Sequence, residues 1–135
     1  MAVSLSEIQV VEPYDGLIAS TTPKADAFHV TIRKLGTAAT YKRGTLLDLS
    51  TGSAGDGKMV IHGTTAESNE TLTPNCILAD DYEIGTAADV TAVAYRTGHF
   101  AQPKLIVKDG SLITTADKEA LRGVGILLSD AFAVS

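Results

Sequence analysis

The sequence contains no tryptophan, and phenylalanine and tyrosine together make up only 5% of it. A hydrophobic core in this chain therefore has to be built from valine, leucine, isoleucine and alanine. The length of 135 residues suits one domain. A chain of this size can bury roughly 68% of its unfolded surface without help from disulfides. We therefore expect a single domain with an aliphatic core.

Cysteine is nearly absent, since Cys76 is the single one and no disulfide can form within the chain. This composition fits a reducing compartment. No run approaches the roughly 18 apolar residues that a membrane helix needs, so no membrane span is expected. The first 16 residues have neither a basic region nor a long apolar core, so we expect no secretory signal there.

Positive charge is in the minority, and the formal net charge is −5. This balance argues against a general nucleic-acid binder, which needs a basic face to displace counterions from phosphate. It argues weakly against binding to an anionic membrane surface. A local basic patch of Lys42, Arg43 and Lys104 is still compatible with the net charge.

What the chain does contain is a series of short strand patterns separated by turn residues. The central stretch, residues 76–107, has apolar runs at 90–95 and 104–107. Both faces of the run at 90–95 are mostly apolar, which predicts a strand buried on both sides. A polar loop is expected at 96–103, with Gly98 ending the first strand and Pro103 restricting the next. Further strands are predicted at 28–35, 41–49 (with Gly44 as a bulge), 59–63, 75–79 and 125–128, with loops at 50–58 and 64–74.

One helix is predicted, over residues 114–122, after a tight turn at the Asp109-Gly110 pair. Thr114 or Thr115 can cap its first N–H groups, and Gly123 or Gly125 ends it. The apolar face that we expect to pack on the sheet consists of Ala116, Ala120, Leu121 and Val124. The pattern as a whole predicts a mainly β domain with a single helix.

Residues 1–27 form a predicted N-terminal arm, and residues 28–135 form the β-rich domain. Prolines and turn residues leave little room for a packed element in the arm. One interpretation is a disordered terminus. The other is an extended segment that adds a strand to the sheet edge of a partner. Ile8, Val10, Leu17 and Ile18 make the arm more apolar than a typical disordered tail, which favours docking.

The residue types that carry chemistry form no recognisable site. Gly52, Gly57 and Lys58 match part of a phosphate-binding loop, but Met59 replaces the required Ser or Thr and a strand follows instead of a helix. Three acids within residues 80–83 lack the calcium-loop pattern and are typical of a solvated turn.

The remaining catalytic candidates are equally weak. His29, His62 and His99 lack metal-ligand spacing, and His99 is interpreted as a surface loop residue. Cys76 begins an apolar run, where a buried and inert thiol is the usual case. No catalytic, cofactor-binding or metal-binding residue is therefore predicted, and we expect a protein that is not an enzyme.

Several ordered segments resemble the bacteriophage head decoration protein family. They are AVAYRTGHF at 92–100, the following Leu-Ile-Val, EALRGVGILL at 119–128, YKRGTLLDLS at 41–50 and YDGLIASTTP at 14–23. The resemblance implies a small mainly β fold of the sandwich or barrel-like (β-tulip-like) kind, with one short helix near the C-terminus and an extended N-terminal arm.

The resemblance also implies a structural function. Such proteins form trimers on three-fold sites of the expanded head and hold major capsid subunits together against the pressure of packaged DNA. The expected partners are the major capsid protein and two further copies of the chain, with no nucleic acid and no membrane. The expected location is the capsid exterior of the virion, and the host cytoplasm during assembly.

Carried onto this sequence, the arm becomes the capsid-contacting element, loose in the free trimer and ordered on the capsid by strand addition. Its expected contact residues are Ile8, Val10, Pro13, Tyr14, Asp15, Gly16, Leu17, Ile18 and Pro23. Deletion of residues 1–20 is then expected to leave a folded trimer that no longer binds heads. The loop at 96–103 is a further expected subunit or capsid contact, whereas the middle loop at 51–75 is longer than in the smallest members.

Two other functions fit the same composition. One is a different trimeric phage structural protein, such as a tail or fibre component, which would show no affinity for capsids. The other is a small trimeric β protein that binds a ligand in a polar pocket around His99 or residues 80–83. Such a ligand would raise the melting temperature.

Overall fold

The computed structural model describes residues 16–20 and 23–129, and its secondary structure is mainly β. The strands are β1 (Ile18–Ser20), β2 (Asp26–Ile32), β3 (Ala39–Tyr41), β4 (Leu46–Thr51), β5 (Met59–Ile61), β6 (Thr71–Leu78), β7 (Tyr82–Ile84), β8 (Val90–Ala101) and β9 (Ile126–Ser129). The helices are a short 3₁₀ turn at Gln102–Lys104 and the α-helix α1 at Thr115–Val124. The prediction of a mainly β domain with one helix is confirmed.

Five strands close into a barrel in the order β8, β2, β5, β4 and β6, with β6 pairing back onto β8. Closure is made where Ile77 and Leu78 of β6 lie opposite Tyr95 and Ala94 of β8. The β2–β5 pairing is parallel, whereas the other pairings around the barrel are antiparallel. A closed barrel leaves none of these five strands as a free sheet edge.

Strand β8 continues beyond the barrel and forms the centre of a second, smaller sheet. Its residues 98–101 pair with β9 in parallel, while Phe100 and His99 lie opposite β1 in antiparallel register. The prediction of a loop at 96–103 is therefore wrong for residues 96–101, which belong to β8. Strands distant in sequence satisfy the backbone hydrogen bonds of this segment. Gly98 does not end the strand: it adopts a φ of +145°, and a Cβ there would lie 2.7 Å from the Phe100 ring.

Three other boundaries differ from the prediction. The segment 104–107 has a single bridge, between Thr45 and Ile106, and no strand. The predicted strand at 41–49 is divided into β3 and β4, because Gly44 turns the chain at a φ of +99° where a Cβ would lie 3.1 Å from the Lys104 carbonyl. Strand β6 begins at Thr71, inside the predicted loop, and its Pro74 lies where the β4–β6 register shifts.

The barrel wall separates two hydrophobic cores. The barrel core holds Leu47, Leu78 and Ala94, among others, while the outer core holds their sequence neighbours Leu46, Ile77 and Tyr95. The outer core is completed by side chains from outside the barrel: Leu17, Phe100, Leu121 and Ile126. Because successive side chains of a strand point to opposite faces, these segments are buried on both sides. The prediction of burial on both sides holds for Ala94 and Tyr95, although Thr91 is exposed.

Helix α1 covers the outer core with its C-terminal half. Thr114 caps it in a capping box with Asp117, and Gly125 ends it in the left-handed conformation at a φ of +104°. Leu121 is fully buried, but Ala116 is exposed and Val124 is 42% exposed, so the predicted apolar face is only partly correct. The helix lies against β6 and β9. Within the described residues, no helix is long and apolar enough to cross a membrane.

Candidate functional site

The predicted contact residues fall into two groups. Ile8, Val10, Pro13, Tyr14 and Asp15 lie outside the described residues, so their contacts stay a prediction. The structure places the other four, Gly16, Leu17, Ile18 and Pro23, at the start of the described chain.

Leu17 joins this starting segment to the domain. Its side chain is 2% exposed within the outer core, and its carbonyl accepts a hydrogen bond of 2.8 Å from the Ala101 N–H. Next to it, Ile18 of β1 pairs with Phe100 of β8. The segment therefore has a fixed root on its own domain, and deletion as far as residue 20 would open the outer core.

Strand β1 also presents a sheet edge. Among the described strands it pairs with β8 alone, so the side away from β8 faces no other strand of the described chain. Edge strands are templates on which another chain can add a strand. Pro23, three residues after β1, lines a shallow depression together with Lys24, Thr97 and Leu127, the last of which is 36% exposed.

A largely apolar groove is lined by residues of the segments 35–45, 61–64 and 106–109. It encloses about 690 Å³, and its lining includes Tyr41, Ile61 and Ile106 together with the charged Lys42, Lys108 and Asp109. Neither His99 nor any of residues 80–83 lines this groove. The local basic patch of Lys42, Arg43 and Lys104, which the net charge left open, does not form as a unit. Arg43 turns inward to bond the Ala79 carbonyl and the Tyr95 hydroxyl.

Cys76 has the environment of a structural thiol. It is fully buried in the barrel core, with its sulfur 3.9 Å from that of Met59. Burial raises the pKa of Cys76 to about 12, so the nucleophilic thiolate is scarce near neutral pH. This agrees with the interpretation of an inert cysteine.

The other sequence motifs also have structural roles. Residues 52–58 connect β4 and β5 in a hairpin, and Lys58 forms an ion pair of 2.6 Å with Asp89 rather than facing the start of a helix. In the acidic stretch, an Asp81 carboxylate oxygen accepts a bond of 2.7 Å from the Arg43 N–H as the chain turns into β7. Within residues 16–20 and 23–129, no group of three His, Cys, Asp or Glu side chains is placed to hold a metal ion.

Two polar clusters were not predicted from the sequence. In the first, the acid cluster, Arg33 contacts Asp56 at 3.0 Å and Glu70 at 2.6 Å, and Glu70 also accepts bonds from Ser50 and the Glu67 N–H. The hydrogen bond from Arg33 lowers the pKa of Asp56 to about 2. The bonds from Glu67, Ser50 and Arg33 lower the pKa of Glu70 to about 2. The alternation of β2 gave no signal for this cluster, because its members come from four separate segments.

The second cluster surrounds His62 and is here called the histidine cluster. His62 is 8% exposed, and its ring lies between Asp48 of β4 and the start of α1. Burial opposes protonation of the ring, but the bonds to Asp48 and the Leu112 carbonyl, with the charge of Asp117, outweigh it and raise the pKa of His62. Sequence spacing gave no signal, because residues 48, 62 and 117 lie on three separate elements. His99, by contrast, lies in β8 rather than in a surface loop.

A comparison with known protein families identifies the family of this chain. A family model, described as bacteriophage lambda head decoration protein D, matches residues 8–128. The chain belongs to this family. No curated protein matches the chain significantly.

Membership of this family indicates what the protein does. The family consists of structural proteins of the phage capsid and is not an enzyme family. The chain is therefore a phage head protein that associates with the capsid and decorates it. The match begins at Ile8, so it includes all nine predicted contact residues as well as the barrel.

Proposed function

We propose that this protein forms homotrimers on the local three-fold sites of the expanded head and stabilises the head against the pressure of packaged DNA. Its partner is the major capsid protein, and its N-terminal segment makes the capsid contact by adding a strand. It assembles in the host cytoplasm and stays on the capsid exterior. The observation that carries the proposal is the family match, which runs through that segment and the barrel together.

The root at Leu17 supports a contact made by the segment before it. A segment that leaves a rigid domain at a fixed point loses less freedom on binding than one that leaves from a mobile tail. Leu17 and the β1–β8 pairing fix that point at Gly16. The chain on the far side of Gly16 carries Ile8 and Val10, whose apolar side chains suit pockets beside a paired strand.

Three-fold repetition supports tight binding from weak contacts. In a trimer, each bound segment raises the effective concentration of the other two at their sites. Removal of the three segments should therefore weaken the affinity for heads far more than the loss of one contact would. The net charge of −5 supports a protein partner rather than DNA.

The proposal is tested by co-sedimentation of the purified protein with expanded, undecorated heads of its own phage. We expect saturable binding with three copies at each three-fold site, and a trimer in analytical ultracentrifugation. Absence of binding to heads, with a folded trimer, would overturn the decoration role and leave a tail or fibre component as the alternative. A monomer that nevertheless binds heads would overturn the trimer alone.

The contact segment is tested by deletion of residues 1–15, which leaves Leu17 and β1 in place. We expect a folded trimer whose binding to heads is lost. A matched pair of double variants refines the test: Ile8→Ser with Val10→Ser should weaken binding, while Ser4→Ala with Ser6→Ala should not. Full binding by the deleted protein would contradict the assignment of the contact to this segment.

A further inference from the structure

The histidine cluster joins three parts of the chain through one side chain. The His62 Nδ1 lies 2.9 and 3.1 Å from the two carboxylate oxygens of Asp48 on β4. On the other side of the ring, Nε2 lies 3.0 Å from the Leu112 carbonyl and 3.2 Å from a carboxylate oxygen of Asp117 in the first turn of α1. Every polar atom facing the ring is therefore a carboxylate or carbonyl oxygen.

This arrangement determines how many protons the ring should carry. A neutral imidazole has one N–H donor and one bare nitrogen that can only accept. A bare nitrogen facing Asp48, Leu112 or Asp117 would meet an oxygen lone pair and gain no hydrogen bond. The doubly protonated ring instead donates on both sides and compensates the negative charges of two carboxylates. The geometry alone therefore favours the imidazolium.

The charged groups around the ring reinforce this conclusion. Asp48 faces it from β4 and Asp117 from α1, while the backbone N–H of Lys108 donates to the His62 carbonyl at 2.9 Å. Cys76 of β6 lies near Asp48, but as a thiol it stays neutral. Burial raises the pKa of Asp48, whereas its bond to His62 opposes that rise.

We propose that His62 is a doubly protonated tie that fastens the start of α1 to the barrel, and that the tie is released when the ring loses a proton. The released segment comprises residues 112–117. It holds the capping box of α1 and Leu112, a large apolar side chain that is 78% exposed. The presentation of Leu112 on the surface thus depends on the protonation of a buried side chain.

The sign of the pH effect follows from the direction of the shift. The folded-state pKa of His62 is raised above its ordinary value of 6.5. Its contribution is therefore complete below that ordinary value and is lost as the pH rises through the raised one. Across that window, the opening equilibrium of residues 112–117 should increase by up to about tenfold per pH unit.

The test is a nuclear magnetic resonance titration of the full chain with labelled histidine nitrogens. At about pH 6 both ring nitrogens of His62 should be protonated. As the pH rises, the amide signals of residues 112–117 should shift with the same midpoint as the ring. A single protonated nitrogen at about pH 6, or a proton held by Asp48 facing a bare Nδ1, would overturn the proposal.

A matched pair of substitutions on α1 separates the tie from general helix effects. Asp117→Asn keeps an oxygen for the capping box but removes one charge beside the ring, so the His62 midpoint should move down. Glu119→Gln removes a charge of the same sign that pairs with Arg122 and not with His62, so the midpoint should not move. Equal midpoints in both variants, or amide signals of residues 112–117 that ignore the ring's titration, would also overturn it.

Discussion

The acid cluster and the histidine cluster lie on the same β4–β5 hairpin but respond to pH in opposite ways. The acid cluster holds Asp56 in the hairpin loop and Ser50 of β4, while the histidine cluster holds Asp48 of β4 and His62 just after β5. In the first, the cation is an arginine, which stays charged at any accessible pH. In the second, it is a histidine, which does not. The first is therefore lost when its carboxylates gain protons, and the second when its cation loses one.

This difference shows how one hairpin can be secured across a wide pH range. Each cluster ties the hairpin to a different part of the chain: Arg33 and Glu70 to the ends of β2 and β6, and His62 to α1. Because arginine keeps its charge, only the histidine tie is weakened as the pH rises above neutrality, whereas acid protonates the carboxylates of both clusters. Substitutions that remove one tie at a time can test this division.

The largest effect is expected when His62 is replaced by leucine. The variant leaves Asp48, which is 4% exposed, as a buried carboxylate without its cationic partner. Removing one member of a buried ion pair costs about 3 kcal/mol of the free energy of unfolding, measured by urea denaturation at about pH 6. The double variant Asp48→Leu with His62→Leu should recover much of that loss, and failure to recover would argue against an ion pair.

A smaller effect is expected for Arg33→Gln, and it should appear in acid. The pKa values of Asp56 and Glu70 are lowered from 3.8 and 4.5 to about 2. Their stabilising contribution is therefore present above the ordinary values and is lost as the pH falls towards about 2. Melting temperatures measured across that range should fall steeply in the parent and less steeply in the variant. Glu70 keeps its bonds from Glu67 and Ser50, so the slope should not vanish.

Thr114→Ala should cost about 1 kcal/mol by removing the N-cap of α1. The hydroxyl accepts a bond of 3.1 Å from the Asp117 N–H and does not titrate. The segment that carries this cap is released when His62 loses a proton, so the loss should be smaller at about pH 9 than at about pH 6. An equal loss at both pH values would show that the cap is independent of the histidine cluster.

The smallest effect is expected for Lys58→Gln. Lys58 and Asp89 form a short ion pair, but their side chains are 36% and 27% exposed. Exposed pairs contribute little because water and salt screen them. The melting temperature should be nearly unchanged. A large decrease would show that this ion pair is a third tie that stabilises the hairpin.

The sequence predicted those parts of the fold that depend on local pattern. Alternation placed β2 within two or three residues, and the threonine cap with its following acid placed α1. It did not predict that β8 continues past Gly98, because the partners that satisfy its backbone are β1, about 80 residues earlier, and β9. The division of residues 41–49 also depends on a distant contact, between Gly44 and Lys104.

For the candidate site as well, features that depend on local pattern were predicted from the sequence, and contacts between distant residues were not. The family was identified from ordered segments, and Cys76 was correctly predicted to be buried. Leu17 was assigned to an arm on composition, but the structure buries it in the outer core, because an apolar residue near Phe100 and Ile126 gains more by packing there than in water. The histidine cluster could not be predicted from the sequence, because neither spacing nor composition indicates that residues 48, 62 and 117 lie together.

The short strand β1 also has a mechanical consequence. A pull at Gly16 directed along β1 would load the Leu17–Ala101 hydrogen bond and the pairing of Ile18 with Phe100 in shear. Bonds loaded in shear must break together, whereas bonds that are peeled break one at a time. The load then passes along β8, which is continuous from the small sheet into the barrel wall. Tension at the N-terminal root is thereby carried by the longest strand of the described chain.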